Sequence, residues 1–302
     1  MLFHLIDELI RSGRFDKIIF VIGYLGVQIK NAVLNEYGGF DNISFEFVEQ
    51  KEMLGLGHAI YHGRMFVGHE PMLVLLGDTI FEFDLNAILN SEYSAIAVKD
   101  VEDIRRFGIV ETENGFIKRM IEKPSGPEIT SSKSAIAGIY LFKDGQKLFD
   151  AVEYLMEKDI KTKNEYQVTD AMQKMIDDGE KFVAPVIQNW FDCGKPETLL
   201  STNAYLLQRD WVETKYHLPG SVTLIAPVYI GDNCVVSNSV IGPNVTLADD
   251  TSVSNSKIQN SIIYEGAKVA EADLDEVILG HGESIKGAHK KIIHADGSEV
   301  GF

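Results

Sequence analysis

Cysteine is almost missing from this chain, with only Cys193 and Cys234 among 302 residues. Two thiols cannot build a disulfide framework or a tetrathiolate metal centre, so a reducing, cytoplasmic setting is expected. Basic residues are also scarce: 28 Lys and Arg stand against 45 Asp and Glu, a formal net charge of −17. That balance excludes the basic footprint of a nucleic-acid binder and repels anionic substrates, so a phosphate site would need a cation or local lysines. No apolar run has the length of a membrane span. The opening stretch MLFHLIDELIRSGRF carries Asp7 and Glu8 inside its apolar pattern, which fits an amphipathic helix and not a signal peptide. What is present, 45% apolar residues, suits one large globular domain or two smaller ones.

Two textures follow one another. Up to about Arg209, short apolar runs such as Lys17 to Ile22 and Met72 to Leu76 alternate with helical spacing at Leu25 to Leu34 and Gly57 to Phe66. Ile43 to Val48 alternates as a strand. This rhythm predicts an α/β, Rossmann-like domain with a mostly parallel sheet and ligands at the carboxyl ends of its strands. Ser94 to Val98, Gly108 to Glu111, Ile117 to Glu122 and Ala135 to Phe142 predict a further sheet element, with Asn114-Gly115 as a hairpin turn. Helices are expected at Gln146 to Glu157, Thr169 to Asp178 and Glu197 to Arg209, and a strand over Lys181 to Trp190.

After Pro219, aliphatic residues recur every five or six positions, from Leu224, Ile230, Val236 and Ile241 through to Leu274 and Leu279. A hexapeptide period predicts a solenoid of short parallel strands, and eleven inward positions give just over three coils. The expected domains are 1–218, α/β; 219–287, the solenoid; and 288–302, a terminal cap or hairpin that includes Asp296-Gly297.

Five short motifs occur in one order: Leu76-Gly77-Asp78-Thr79, Phe107-Gly108-Ile109-Val110-Glu111, Glu122-Lys123-Pro124, Ala137-Gly138-Ile139-Tyr140 and Trp190-Phe191-Asp192-Cys193-Gly194. Together they resemble the sugar-1-phosphate nucleotidyltransferases, of the glucose-1-phosphate thymidylyltransferase and uridylyltransferase kind, and the solenoid resembles the left-handed β-helix appended to many of them. The resemblance implies transfer of a nucleotidyl group from dTTP or UTP to a sugar 1-phosphate, with pyrophosphate leaving. It assigns Asp78 and Asp192 to Mg²⁺, an oxygen-seeking ion that takes few protein ligands. It assigns Lys123 to the sugar phosphate, Glu122 to sugar hydroxyls, and Gly108, Gly138 and Tyr140 to the lining of that pocket. Gln50 and the segment from Leu54 through Gly55 to Ala59 resemble the part that reads a pyrimidine edge. Glu165 to Asp170 matches the segment closing the sugar side, and His58 is read as a residue of the pocket edge or helix surface.

The residues alone leave other readings open. Asp78 could start a turn or cap a helix near Asp84, and Glu122-Lys123 could be a surface pair entering a turn. The family also opens with a central strand and a GxGTRL-type loop for the triphosphate, and the resemblance starts beyond both. It therefore implies poor turnover by residues 1–302, and strands beside the missing one that are either unpaired or forced together. A silent regulatory subunit pairing with an active paralogue is the alternative function, and an acyltransferase a third. Assembly into a homo-oligomer or hetero-oligomer through the solenoid is expected, with Val240, Ile262 and Tyr264 among its non-charged surface residues.

Overall fold

The computed structural model describes residues 2–125, 129–210, 219–287 and 289–290. The turn expected at Asp296-Gly297 and the Asp192 side chain lie outside the described residues. Two compact units emerge, Met1–Trp190 and Phe191–Phe302. Among the described residues no helix is long and apolar enough to cross a membrane.

The first unit runs α1 (Leu2–Ser12), β1 (Lys17–Ile22), α2 (Gly26–Tyr37), β2 (Ser44–Glu49), α3 (Leu56–Tyr61), β3 (Met72–Leu75), β4 (Thr79–Glu82), α4 (Leu85–Leu89), β5 (Ser94–Asp100), β6 (Gly108–Glu113), β7 (Phe116–Glu122), β8 (Ser134–Phe142), α5 (Gly145–Glu157), α6 (Val168–Asp177) and β9 (Phe182–Val183), with β10 (Asn189–Asp192) at its end. β1 and β2 pair in parallel across the α2 crossover, as a strand–helix–strand unit requires. A second sheet has the order β7-β6-β8-β5-β9 with β3 also on β8. There β3, β5 and β6 run antiparallel to β8, and β9 runs parallel to β5. Among the described residues β1 pairs only with β2 and β3 only with β8. The two strands are therefore not forced together.

Burial explains why the helices sit where they do. α5 and α6 lay Leu148, Phe149, Val152 and Met172 against Phe142 and Phe182 of the sheet, all 1% exposed or less. Each such side chain contributes about 1.5–3 kcal/mol relative to an exposed one. α1 divides its apolar face. Leu5 joins Phe81 and Ile139, whereas Ile6 joins Phe20, Val33 and Tyr37. The acidic break in its pattern has a structural use, since Tyr37 Oη donates to Asp7 Oδ1 at 2.8 Å.

Local chemistry accounts for the turns and for two departures from expectation. Asn114 and Gly115 take φ of 50° and 85°, the left-handed pair that a two-residue hairpin between β6 and β7 demands. The helix read over Gly57 to Phe66 gives way after Tyr61 to a 3₁₀ turn, His62–Phe66. The strand read over Lys181 to Trp190 divides into β9 and β10 because Pro185 has no N–H to give a ladder. Its carbonyl still accepts from Val98 N at 2.9 Å, and Ile187 N donates to Val98 O at 3.0 Å.

The second unit holds α7 (Pro196–Asp210) and a parallel β-solenoid whose three faces carry, among the described residues, five, four and four short strands. Among the described residues it has about four coils, where just over three were expected. Ile285, 6% exposed, extends the inward row of Val269, Val253 and Val236, whereas Leu224, expected inward, is 37% exposed. Corners fall on residues such as Asn233, Asn238, Asn244, Asn255 and Asn260, with φ from 47° to 59°, a region asparagine tolerates better than most. Asn244 Nδ2 donates to Asn260 Oδ1 at 2.9 Å, and buried Ser239 and Ser256 accept from the backbone N–H of Ser256 and Ala272 on successive coils. Coil length changes along the axis: stacked groups are 17 residues apart in the first coils and 16 apart in the later ones.

Candidate active site

β6 and β7 bring Gly108 opposite Glu122, and the Glu122 carboxylate turns inward, its side chain only 8% exposed. A buried carboxylate needs partners. Thr169, in the first turn of α6, donates from Oγ1 to Glu122 Oε2 at 2.7 Å, and Lys123 Nζ lies 3.5 Å from Oε1 with its own side chain 40% exposed. Lys123 leaves the strand at φ 44° while its N–H still donates to Phe107 O at 3.1 Å. A lysine in the left-handed region costs about 1 kcal/mol or more, and such strain concentrates at functional positions. Gly108 is closely surrounded: a Cβ there would lie 3.0 Å from Ile136 Cδ1, 3.2 Å from Glu122 Oε2 and 3.3 Å from Thr169 Oγ1, so these side chains would have to give way.

Two further groups feel the Glu122 charge. Burial and then Glu122 push the Tyr140 phenol well above its ordinary value, keeping it a neutral hydroxyl. Asp170, next to Thr169, is likewise raised, by burial first; a hydrogen bond with Thr162 opposes this and Glu122 adds to it. Its Oδ2 is buried without a partner. Because the folded value lies above the unfolded one of about 3.9, Asp170 stabilises the fold below that pH, and the contribution is lost as pH rises through the folded value. Asp170→Asn is therefore expected to raise stability at pH 7.5 by about 1 kcal/mol and to give no gain near pH 4. Urea titrations of both proteins at the two pH values measure it; an equal gain at both would remove Asp170 as the titrating group.

A second cluster lies around Gln50. Its Nε2 donates to Gly55 O at 3.2 Å and stands 3.2 Å from His58 Nδ1, so Oε1 is left as the acceptor end of the amide. His62 packs edge-on to His58 at 4.6 Å, and burial, then His58, lowers its basicity. Gly55 has φ 108°, and a Cβ on it would strike Glu165 Cβ and Tyr166 O at 2.8 Å. That close approach lets Tyr166 N donate to Leu54 O at 2.8 Å and Gly57 N to Tyr166 O at 2.9 Å. The segment Glu165 to Asp170 thus joins the Gln50 cluster at one end to Glu122 at the other. Thr169 and Asp170 are the residues missed as individual site members, though their segment stands out in the sequence.

Gly138, φ 85°, meets Leu76 side-on: Leu76 N donates to Gly138 O at 3.1 Å, and a Cβ would lie 2.8 Å from Leu76 Cδ1. This fixes the end of β3, from which Asp78 projects exposed, accepting from Thr79 Oγ1 at 3.2 Å. Asp84, and not Asp78, caps α4, by accepting from Ala87 N at 3.0 Å.

Residues 1–209 match the family described as nucleotidyl transferase. The chain belongs to the nucleotidyl transferase family. Within it, the chain is 30% identical over 308 residues to the bifunctional protein GlmU of Methanococcus maripaludis, covering 95% of this chain and 69% of that one. It is 27% identical to a glucose-1-phosphate thymidylyltransferase of Streptomyces griseus, covering 87% of this chain and 78% of the other. A solved UDP-glucose pyrophosphorylase complexed with UDP-glucose superposes with a TM-score of 0.51 at 26% identity, over 64% of this chain and 82% of that chain. These relatives make this nucleotidyl transferase one of the sugar-1-phosphate type.

Proposed function

We propose that the chain transfers a uridylyl or thymidylyl group to glucose 1-phosphate. The observation that carries this is the buried Glu122 carboxylate, held by Thr169 and adjoining the half-exposed ammonium of Lys123. Such a pair offers an acceptor for sugar hydroxyls and a point charge for a phosphate dianion within one reach. Gly108 leaves room for the ring, and the neutral Tyr140 hydroxyl adds a polar group beside Glu122. Gln50 Oε1, with Nε2 engaged by Gly55 O, is an acceptor, complementary to the N3–H of uracil or thymine and not to the unprotonated N3 of cytosine.

The Asp78 carboxylate is a hard oxygen donor that fits Mg²⁺, and Asp192 is the second proposed ligand. The ion supplies neutralisation of triphosphate charge when bound. The chain's own residues act by positioning: Lys123 and Glu122 hold the sugar phosphate so that a phosphate oxygen attacks the α-phosphorus in line and pyrophosphate departs.

Calorimetry with UTP, dTTP and CTP, alongside pyrophosphate release with glucose 1-phosphate and Mg²⁺, tests the reading. UTP or dTTP is expected to bind at least tenfold more tightly than CTP, a difference Gln50→Leu should erase. Equal affinity for the three nucleotides in the unaltered protein would overturn the base assignment, and release without dependence on glucose 1-phosphate would overturn the acceptor.

Assembly through the solenoid is part of the same proposal. Ile262 is buried, at 8% exposure, and Tyr264 packs against His281, so neither leads such a contact. The first coil instead presents Ile225, Tyr229 and Val235, 43%, 50% and 64% exposed, at or beside strands of its three faces, and these are the apolar side chains a subunit contact would cover. Light scattering should show an oligomer that falls to single-chain mass in Tyr229→Glu/Val235→Glu; a single-chain mass before substitution would defeat the idea.

A further inference from the structure

The Gln50 cluster holds a pair of histidines to which the proposed reaction gives no part. His58 lies in α3 and His62 opens the 3₁₀ turn that continues it, so the two rings, four positions apart, fall on one face. They meet edge to face, with 4.6 Å between centroids and 83° between planes. His62 Nε2 is buried without a partner, and the lowered basicity of that ring keeps it neutral at ordinary pH. Its packing sets the plane of His58, whose Nδ1 is 3.2 Å from Gln50 Nε2.

A glutamine amide can offer a ligand either its oxygen or its NH₂, and the two ends have opposite hydrogen-bonding character. Gln50 is not free to choose. Gly55 O is a carbonyl and can only accept; it takes Gln50 Nε2 at 3.2 Å while also accepting from Ala59 N at 3.0 Å. The second Nε2 proton goes to His58 Nδ1, which must then be the bare ring nitrogen, with the ring proton on Nε2. Turning the amide over would set Oε1 against two acceptors, the Gly55 carbonyl and the His58 Nδ1 lone pair. Neither end of the arrangement can shift to relieve this. Gln50 N donates to Ile22 O at 2.8 Å, and Gly55, at φ 108°, is enclosed by Glu165 and Tyr166.

We infer that His58 is a specificity-determining residue, whose bare Nδ1 locks the Gln50 amide so that its oxygen, and not its nitrogen, meets the base. This rests on the proposed recognition of uracil or thymine and names the residue that enforces it. A fixed acceptor selects the N3–H of those bases, whereas an amide free to turn would offer a donor to N3 of cytosine. Gly55 O alone, shared with Ala59 N, holds the amide less firmly than the two bonds together.

Two measurements test the lock. Nitrogen-15 NMR of the full chain at pH 7.5, without nucleotide, should show a neutral His58 ring with its proton on Nε2. Calorimetry then compares UTP with CTP. The unaltered protein should favour UTP at least tenfold, and His58→Ala should bring that ratio down to about threefold or less, mainly by tightening CTP. His58→Asn should keep the full ratio, because an Asn Oδ1 can accept from Gln50 Nε2 in place of the ring nitrogen; a residue that acted by packing alone would not be rescued in this way. Equal affinity for UTP and CTP in the unaltered protein would overturn the pyrimidine reading and the lock with it. The reading would stand and the lock would fall if His58 carried its proton on Nδ1, if His58→Ala kept the tenfold preference, or if His58→Asn lost it as fully as His58→Ala.

Discussion

Gly242→Ala is expected to lower the melting temperature of the solenoid by about 10 °C or more, corresponding to roughly 2 kcal/mol or more in a unit of this size. Gly242 has φ 108°, and a Cβ there would sit 1.8 Å from Ile225 O and 2.8 Å from Val228 Cγ2. Relief by backbone movement is blocked from both sides. Ile225 N donates to Ile241 O at 2.8 Å, and Gly242 N donates to Ile258 O at 2.8 Å, so this corner is bonded to the coil before it and the coil after it. Gly220→Ala is the matched control, because a Cβ there meets nothing within 4 Å. Thermal melts of both variants decide the matter. A Gly242→Ala protein melting within about 2 °C of the unaltered one would mean that the corner yields freely.

Glu122→Ala is expected to weaken glucose 1-phosphate binding by about 10- to 100-fold, the loss that follows removal of a charged hydrogen-bond acceptor worth about 1.5–3 kcal/mol. The substitution also leaves Thr169 Oγ1 and Lys123 Nζ without their carboxylate. Glu122→Gln separates the two effects, since an amide oxygen can still accept from Thr169 but carries no charge to hold Lys123. It should fall between the unaltered protein and Glu122→Ala in calorimetry, with helical signal unchanged in all three. Unaltered affinity in Glu122→Ala would sink the sugar-phosphate assignment of this cluster.

Much of the fold could be read from spacing alone. The α2 crossover, the Asn114-Gly115 hairpin, α5, α6 and the solenoid's aliphatic period are all local signals, and each appears within a few residues of its expected place. β4 escaped because Thr79 follows the Gly77-Asp78 turn at once, so four residues of strand look like the tail of the motif before them. The fourth coil escaped because Ile285 stands alone between Ser284 and Lys286, past the last obvious aliphatic. The site was legible as a set of residue types but not as a set of contacts. Nothing in the spacing says that Thr169 closes on Glu122 across 47 residues, because that bond depends on α6 packing across the sheet, and packing leaves no periodic mark.

The change of coil length has a consequence for how this chain can grow or shrink. Where stacked groups are 17 residues apart, as in the first coils, a duplicated or deleted block must contain 17 residues to keep every aliphatic stack aligned; farther along it must contain 16. A block of the wrong length shifts all later strands by one position and turns their apolar residues to the outside. The solenoid is thus a ruler with two graduations. Lengthening it by whole later coils is a one-step change in the gene, whereas altering its first coils demands a block of a different size, and that end is the one natural variation should leave alone.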